Sequence, residues 1–360
     1  MNIYHIISNK EWGGREQYTL DLACRQREDG HYVEIVSKLA PEVIKPFKEK
    51  EFPVSTLPLK GFTDMDSAVR LSRMIAKRKN CVIHVHSFRI AFLAIVARTL
   101  SNNKSLKIIM TRHLVKRGKK RLVQQRIYKE INRIVFVSEL AKNVFLSGHP
   151  KIDLDRITVV HSSITKKPFE QIDLHKEFDI PENRLILMSH GKLEKGKGID
   201  TLLRACAKLD RSLFHLIILG TGKKKYLRDL NEIVAELRLE HNVTFAGHVR
   251  NPQQYVNACD IGVLPSEVPE ALGLSNMEYM MYGKPLISSN MGAQSEYIVE
   301  NRDAILVNPG KPDELAETIT RVLKDRHLRE TLGENAKKQF DANLNYDSFY
   351  KKITEVYENL

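Results

Sequence analysis

The chain has 360 residues, 42% of them hydrophobic, which is enough for two cores, and it carries 57 Lys and Arg against 44 Asp and Glu. Its apolar runs, 81–85, 90–97, 213–219 and 260–264, all stop well short of the roughly 18 to 20 residues a spanning helix needs, so no transmembrane helix is expected. Four distant cysteines (Cys24, Cys81, Cys206 and Cys259) and 13 histidines with no HExxH or Cys/His ligand spacing exclude a disulfide scaffold and a recognisable metal motif, and four reduced, mostly buried thiols are expected.

The first eight residues lack a basic leader and a long apolar stretch, so they read as a first strand rather than a signal peptide, and the expected location is the cytoplasm. Residues 2–8 predict a strand, 14–29 a helix closed by Gly30, 32–37 a strand, and 65–79 an amphipathic helix. Strands follow at 81–86, 107–111 and 133–138, with helical patterns between them. Between Ser162 and Asn183 the periodicity lapses, with Pro168 and Pro181 as breakers, and residues 166–184 read as a linker. The rhythm then restarts: strand 185–190, helix 199–209, strand 215–219, helix 225–237, strands 243–246 and 260–264, helix 274–282, strand 285–288. This repetition predicts an α/β chain of two tandem, Rossmann-like, doubly wound domains, 1–165 and 185–345, with a ligand cleft at the carboxyl ends of their strands. Residues 346–360 predict a last helix, with Tyr346, Phe349, Tyr350, Ile353 and Tyr357 at helical spacing, expected to pack back on the N-terminal domain.

Charge is unevenly placed. Residues 1–165 hold 30 Lys and Arg against 15 Asp and Glu, whereas residues 166–360 hold 27 against 29. The densest stretch, 111–126, contains Arg112, Lys116, Arg117, Lys119, Lys120, Arg121 and Arg126 and no acid. It is either a surface for an acceptor or an anionic membrane, or an ordinary solvated face.

Three motifs carry chemistry. Gly13-Gly14 opens a helix after the first strand, where paired glycines either let backbone amides approach an anion or serve a tight turn with positive φ. The run Gly191-Lys192-Leu193-Glu194-Lys195-Gly196-Lys197-Gly198 approaches the phosphate-binding pattern G-x4-G-K-[ST]. Gly198, however, has no hydroxyl for Mg²⁺, which argues against a P-loop NTPase and leaves Lys192 and Lys197 suited to a diphosphate. In the third, Glu270 and Glu278 are eight residues apart. On one helix that separation is about 12 Å, beyond the roughly 5 to 5.5 Å of a retaining glycosidase pair, so the two carboxylates must do different jobs. Pro269 places Glu270 in the loop before a helix and Glu278 about one turn inside it, with the amides of Gly273, Leu274 and Ser275 between them as a phosphate seat.

With these pieces in place the chain resembles the retaining glycosyltransferases of family 4, the "group 1" type with the GT-B fold. Matching pieces are Gly13-Gly14-x-Glu16, His84-Val85-His86, Thr111-x-His113, Val135-Phe136-Val137-Ser138-Glu139, Gly191-Lys192 with Lys197-Gly198, Leu219-Gly220-x-Gly222, Val243-x-Phe245-x-Gly247, Ala258-x-Asp260, and Glu270-x7-Glu278 continued by Gly283-Lys284-Pro285. The similarity covers essentially the whole chain and is most specific from 191 to 296. It implies a nucleotide-sugar donor held through its ribose by Glu278 and through its diphosphate by Lys192 and Lys197. It also implies Glu270 on the transferred sugar, His113 near the bond being made, and Gly14 against donor phosphate or acceptor; Glu270, His113 and Lys197 are thus the implied catalytic set. Three positions depart from the family pattern: Lys192 stands where arginine is usual, Glu270-Ala271-Leu272-Gly273 where Glu-Gly-Phe-Gly is usual, and Ser162-Ser163 where Asn-Gly is usual.

The expected reaction moves a hexose to an acceptor hydroxyl with retention, by a front-face route that requires no metal or other cofactor. The acceptor expected is a cell-envelope polysaccharide, lipopolysaccharide or lipid-linked glycan, with peripheral contact at the inner face of the cell membrane. Two other classes stay open: a sugar-nucleotide epimerase of the same fold, and a basic nucleic-acid-binding protein, against which the lack of aromatics interleaved in the basic run speaks. Simpler roles compete at single residues. His84 reads as a core histidine, His86 as either core or site, Asp260 as a strand boundary, and Glu296 as a cap or ion-pair partner.

Overall fold

The computed structural model describes residues 1–360. Two compact units emerge, one of Met1–Ser162 with Tyr346–Leu360 and one of Ser163–Asn345. The first is built on seven parallel strands: β1 (Asn2–Ile7), β2 (Tyr32–Ser37), β3 (Val54–Thr56), β4 (Cys81–Val85), β5 (Lys107–Arg112), β6 (Arg133–Phe136) and β7 (Ile157–Val159), in spatial order β3-β2-β1-β4-β5-β6-β7. The second has six: β8 (Leu185–His190), β9 (Phe214–Leu219), β10 (Val243–Gly247), β11 (Ile261–Leu264), β12 (Leu286–Ser289) and β13 (Ile305–Val307), ordered β10-β9-β8-β11-β12-β13. Each sheet therefore starts in its middle and reverses direction once, between β1 and β4 and between β8 and β11. Such reversals open crevices at the strands' carboxyl ends.

Central strands are buried on both faces, as helices on either side of a parallel sheet require. All five residues of β4 and all six of β9 are buried. One face of the first sheet presents Ile3, Ile7, Ile35, Val82, Ile109 and Val135. That face is covered by helix Gly14–Glu28, through Tyr18 and Leu22, and by helix Tyr346–Glu358, through Phe349, Tyr350, Ile353, Val356 and Tyr357. At about 1.5 to 3 kcal/mol for each large apolar side chain buried, the last helix is an integral part of this core. Its Tyr350 hydroxyl also donates to Asp29 at 2.6 Å.

Residues 166–184, expected as a linker, instead form part of the second unit. Leu174 and Ile180 are buried, a short helix spans Leu174–Glu177, and the Gln253 amide donates to the Thr165 carbonyl while its oxygen accepts the Lys167 N–H, each at 2.9 Å. The segment looked loop-like because a strap of this kind buries isolated apolar residues with no period. Helix Met65–Ile75 is shorter than the 65–79 expected, since the basic end at Lys77, Arg78 and Lys79 lies beyond its last buried residue. The four cysteines are free, with Cys81, Cys206 and Cys259 buried and Cys24 partly exposed. No helix is long and apolar enough to cross a membrane.

Candidate active site

In the second unit the loops after β8 and β11 are joined through small residues. Gly198 begins helix Ile199–Cys206 in a left-handed conformation (φ 69°), and a Cβ there would lie 1.9 Å from the Pro265 carbonyl oxygen. Only glycine allows that approach. It brings the Glu267 N–H to the Gly196 carbonyl at 2.7 Å, and the Thr201 hydroxyl to the Glu267 carboxylate. Across this seam Lys197 Nζ lies 2.6 Å from Glu270 Oε1, which also accepts the Ser266 hydroxyl at 2.9 Å. Both members of the ion pair keep about a quarter of their side-chain surface exposed (28% and 24%), so each can exchange its partner for a ligand. Glu270 is fixed along its backbone as well: its N–H donates to Met291 and its carbonyl accepts from Ala293.

Gly273, left-handed at φ 82°, starts helix Leu274–Met281. The first amides of a helix have no intrahelical acceptor, and the helix dipole favours an anion beside them. Behind this turn the buried Tyr297 hydroxyl donates to the Leu272 carbonyl at 2.7 Å, holding the loop. Glu278 lies on the same helix about one turn in, as expected, and its carboxylate bonds His190 Nε2 at the end of β8. Since a carboxylate only accepts, His190 donates from Nε2, and the Tyr279 hydroxyl, 3.0 Å from His190 Nδ1 and 3.0 Å from the Met188 carbonyl, sits behind the ring and holds it toward Glu278. His190, Ser266 and Tyr297 were absent from the sequence candidates. His190 alone gave a signal, being a polar residue that ends an apolar strand immediately before Gly191. Lys192 is more exposed and pairs with Glu194 at 3.6 Å. Asp260 accepts the Ile186 N–H at 2.7 Å, the strand-boundary role.

The first unit carries a second group at the β1/β4 reversal. Gly13 has extended backbone and neither Gly13 nor Gly14 has positive φ, so the tight-turn reading of this pair does not apply. The buried Glu16 side chain accepts from Asn9 at 2.6 Å and from the Gly13 N–H, capping helix Gly14–Glu28 with an internal carboxylate that burial holds above the usual range. His5 on β1 and His84 on β4 pair directly across the sheet, with His86 and His113 alongside. His84 bonds the Tyr357 and Thr111 hydroxyls, each at 2.7 Å, and His5 Nε2 bonds Gln26 at 2.8 Å. Nitrogens of His5, His84 and His86 lie within 4.8 Å of one another. Five of these six ring nitrogens already meet protein partners, so the group is a hydrogen-bonded array.

Arg112 leaves the expected surface set. Its guanidinium stacks over Phe145 at 4.6 Å and Phe136 at 5.9 Å, and it is half-buried. Lys116, Arg117, Lys119, Lys120 and Arg121 are exposed or partly exposed around an outward loop. Beside them Leu122 and Val123, 84% and 58% exposed, open helix Leu122–Glu130, and a groove of about 460 Å³ is lined by Lys120, Leu122, Val123, Gln125, Arg126, Lys129 and Lys151.

Residues 170–339 match the family described as "Glycosyl transferases group 1", and residues 12–165 match "Glycosyltransferase Family 4". The chain belongs to the group 1 glycosyltransferases of GT-B fold. Among relatives, an uncharacterised glycosyltransferase of Methanocaldococcus jannaschii, MJ1607, is 31% identical over 57% of this chain and 54% of its own length, so the match spans little more than half of that protein. The N-acetyl-alpha-D-glucosaminyl L-malate synthase of Bacillus anthracis is 24% identical over 97% of this chain and 93% of that one. The structure of Anabaena HepE in complex with UDP and glucose superposes with a TM-score of 0.85 over the full length of both chains at 17% identity, a likeness of fold.

The histidine array makes the first unit of this glycosyltransferase sensitive to acid. Burial holds His5 down at about 4, and burial with the nearby Arg15 charge holds His113 at about 3, against an ordinary 6.5. Between those values and pH 6.5 the unfolded chain binds more protons than the folded one, so stability falls as pH falls, by up to about 1.4 kcal/mol per pH unit for each such histidine. Trp12, the single tryptophan, packs beside Phe47 on the same core and reports on this unit alone. Its fluorescence-detected melting temperature should drop progressively from pH 7 to pH 4.5, and less so in a His5→Gln variant; a melt independent of pH across that range would contradict the assignment.

Proposed function

We propose that this glycosyltransferase moves a hexosyl unit from a nucleoside-diphosphate sugar to a hydroxyl of an anionic or lipid-linked glycan, with retained anomeric configuration and without a metal. The observation that carries the reading is the Lys197–Glu270 pair held beside the Gly273 helix start, with Glu278 one turn further on. A diphosphate takes Lys197 and the amides of Gly273, Leu274 and Ser275, with Lys192 nearby on its flexible stem. Release of Glu270 from Lys197 frees its carboxylate for the sugar hydroxyls, and Glu278, braced by His190, accepts the two ribose hydroxyls. The bond from the anomeric carbon to the β-phosphate oxygen breaks, its electron pair leaving with the phosphate. The acceptor hydroxyl attacks the same face and gives its proton to that phosphate oxygen. The family resemblance assigns His113 to the reacting sugar and Gly14 to donor phosphate or acceptor. The complex of one structural neighbour with UDP and glucose, and the glucosaminyl group in the name of one relative, support a hexose donor.

The reading separates the two glutamates. Glu278→Ala should raise the donor KM about 10- to 100-fold, the worth of one or two hydrogen bonds to a charged group, with kcat little changed. Glu270→Ala should lower kcat by a similar factor. Both should behave so in the presence of EDTA. Equal small effects from both, or complete loss on chelation, would contradict it.

We further propose that the basic loop, with Leu122 and Val123, docks the enzyme on an anionic membrane face. Each Lys or Arg near such a surface contributes about 1 kcal/mol, and two exposed apolar side chains add insertion. Wild-type protein should co-sediment with liposomes containing anionic lipid at low salt, and changing Lys116, Arg117, Lys119, Lys120 and Arg121 to Ser should abolish this. Equal sedimentation of both proteins would show that the loop is only solvated.

A further inference from the structure

Donor counting through the first unit fixes the chemical form of His113. Thr19, on the second turn of helix Gly14–Glu28, gives its hydroxyl proton to the Arg15 carbonyl at 2.9 Å. A hydroxyl has one proton to give, so the His86 Nε2 that lies 3.2 Å from Thr19 Oγ1 must itself carry a hydrogen and donate. A neutral imidazole that donates from Nε2 accepts at Nδ1. His86 Nδ1 lies 3.2 Å from His113 Nε2, so His113 donates from Nε2 in turn. Its own Nδ1 then holds a lone pair and meets no protein partner.

The premise is that both rings are neutral, and their surroundings enforce it. His86 is 6% exposed, its ring centroid is 4.6 Å from that of His84 and 5.9 Å from that of His5, and the nearby formal charge is that of Arg15. Burial, then His84 and His113, hold His86 well below the usual histidine range. Tyr18 fixes the plane of His113, meeting it edge-on at 4.9 Å and 76°.

We infer that Thr19 and His86 are positioning residues, which relay the Arg15 carbonyl to His113 and lock it in the Nε2–H tautomer, so that Nδ1 can only accept a hydrogen bond. The group this ring serves is then a hydroxyl of the bound sugar or of the acceptor, and a ligand that offers only an acceptor there is rejected. The relay starts in the first turn after Gly13-Gly14, so a ligand that shifts this turn also shifts His113. The inference rests on the proposed place of His113 beside the reacting sugar.

Imidazole ¹⁵N–¹H correlation spectra of the full chain labelled with ¹⁵N-histidine test it, with His113 assigned by His113→Gln. In wild type, His86 and His113 should both be Nε2–H tautomers. Thr19→Val keeps the shape but cannot accept from His86, and it should turn both rings toward Nδ1–H and lower kcat about tenfold with the donor KM unchanged. Thr19→Ser should restore spectrum and rate. A wild-type His113 in the Nδ1–H form overturns the relay without any variant, and so does Thr19→Val that leaves both tautomers as they were. If the tautomers turn while kcat holds, the relay stands and the placement of His113 at the reacting sugar is overturned.

Discussion

A parallel sheet that starts in its middle has to send its connections to opposite sides, and the loops on either side of the starting strand part from each other. In the second unit that constraint acts at β8 and β11, and the residues proposed to hold the donor gather there. The Gly198 approach to Pro265 closes the base of the gap, Lys197 and Glu270 meet across it, and the helix begun at Gly273 directs its free amides to the same place. Movement of either loop would separate a lysine, two carboxylates and a helix N-terminus together. The site is therefore a property of the topology, with side chains supplying its specificity.

Much of this was legible because strand-to-helix turns write themselves in glycine. The positions of Glu270 before a helix and Glu278 within it follow from Pro269 and Gly273, and the structure has both in those places. Edge elements were not legible. Strands β3, β7 and β13 have three residues each, too few to display a period of two. Arg112 was misplaced because a count of charges along the chain carries no information about which guanidinium will lie over an aromatic ring. The histidine array was invisible for a related reason: its members come from β1, β4 and the end of β5, and only pairing across the sheet sets His5 against His84. Tyr357, which closes the array on His84, lies 273 residues away in sequence.

The two units solve opposite electrostatic problems. The second has near-balanced charge and arranges a few ions at close range, where partial exposure keeps their pairing exchangeable for a ligand. The first carries the charge excess, densest on an outer loop, yet keeps its histidine region neutral: four histidines lie together without a carboxylate among their hydrogen-bond partners, and burial keeps them uncharged. A neutral interior lets hydrogen-bond direction, rather than net charge, define what a ligand meets there.

If the loops after β8 and β11 form the seat of a nucleoside diphosphate, their backbone amides must respond to one. Amide hydrogen exchange measured with and without UDP, GDP and ADP tests this at the groups concerned. At least one of the three should slow exchange across 191–198 and at Leu274 and Ser275, with little change at the carboxyl ends of β12 and β13. Protection that appears elsewhere while these amides exchange at the free rate, for every nucleotide at saturating concentration, would contradict the seat.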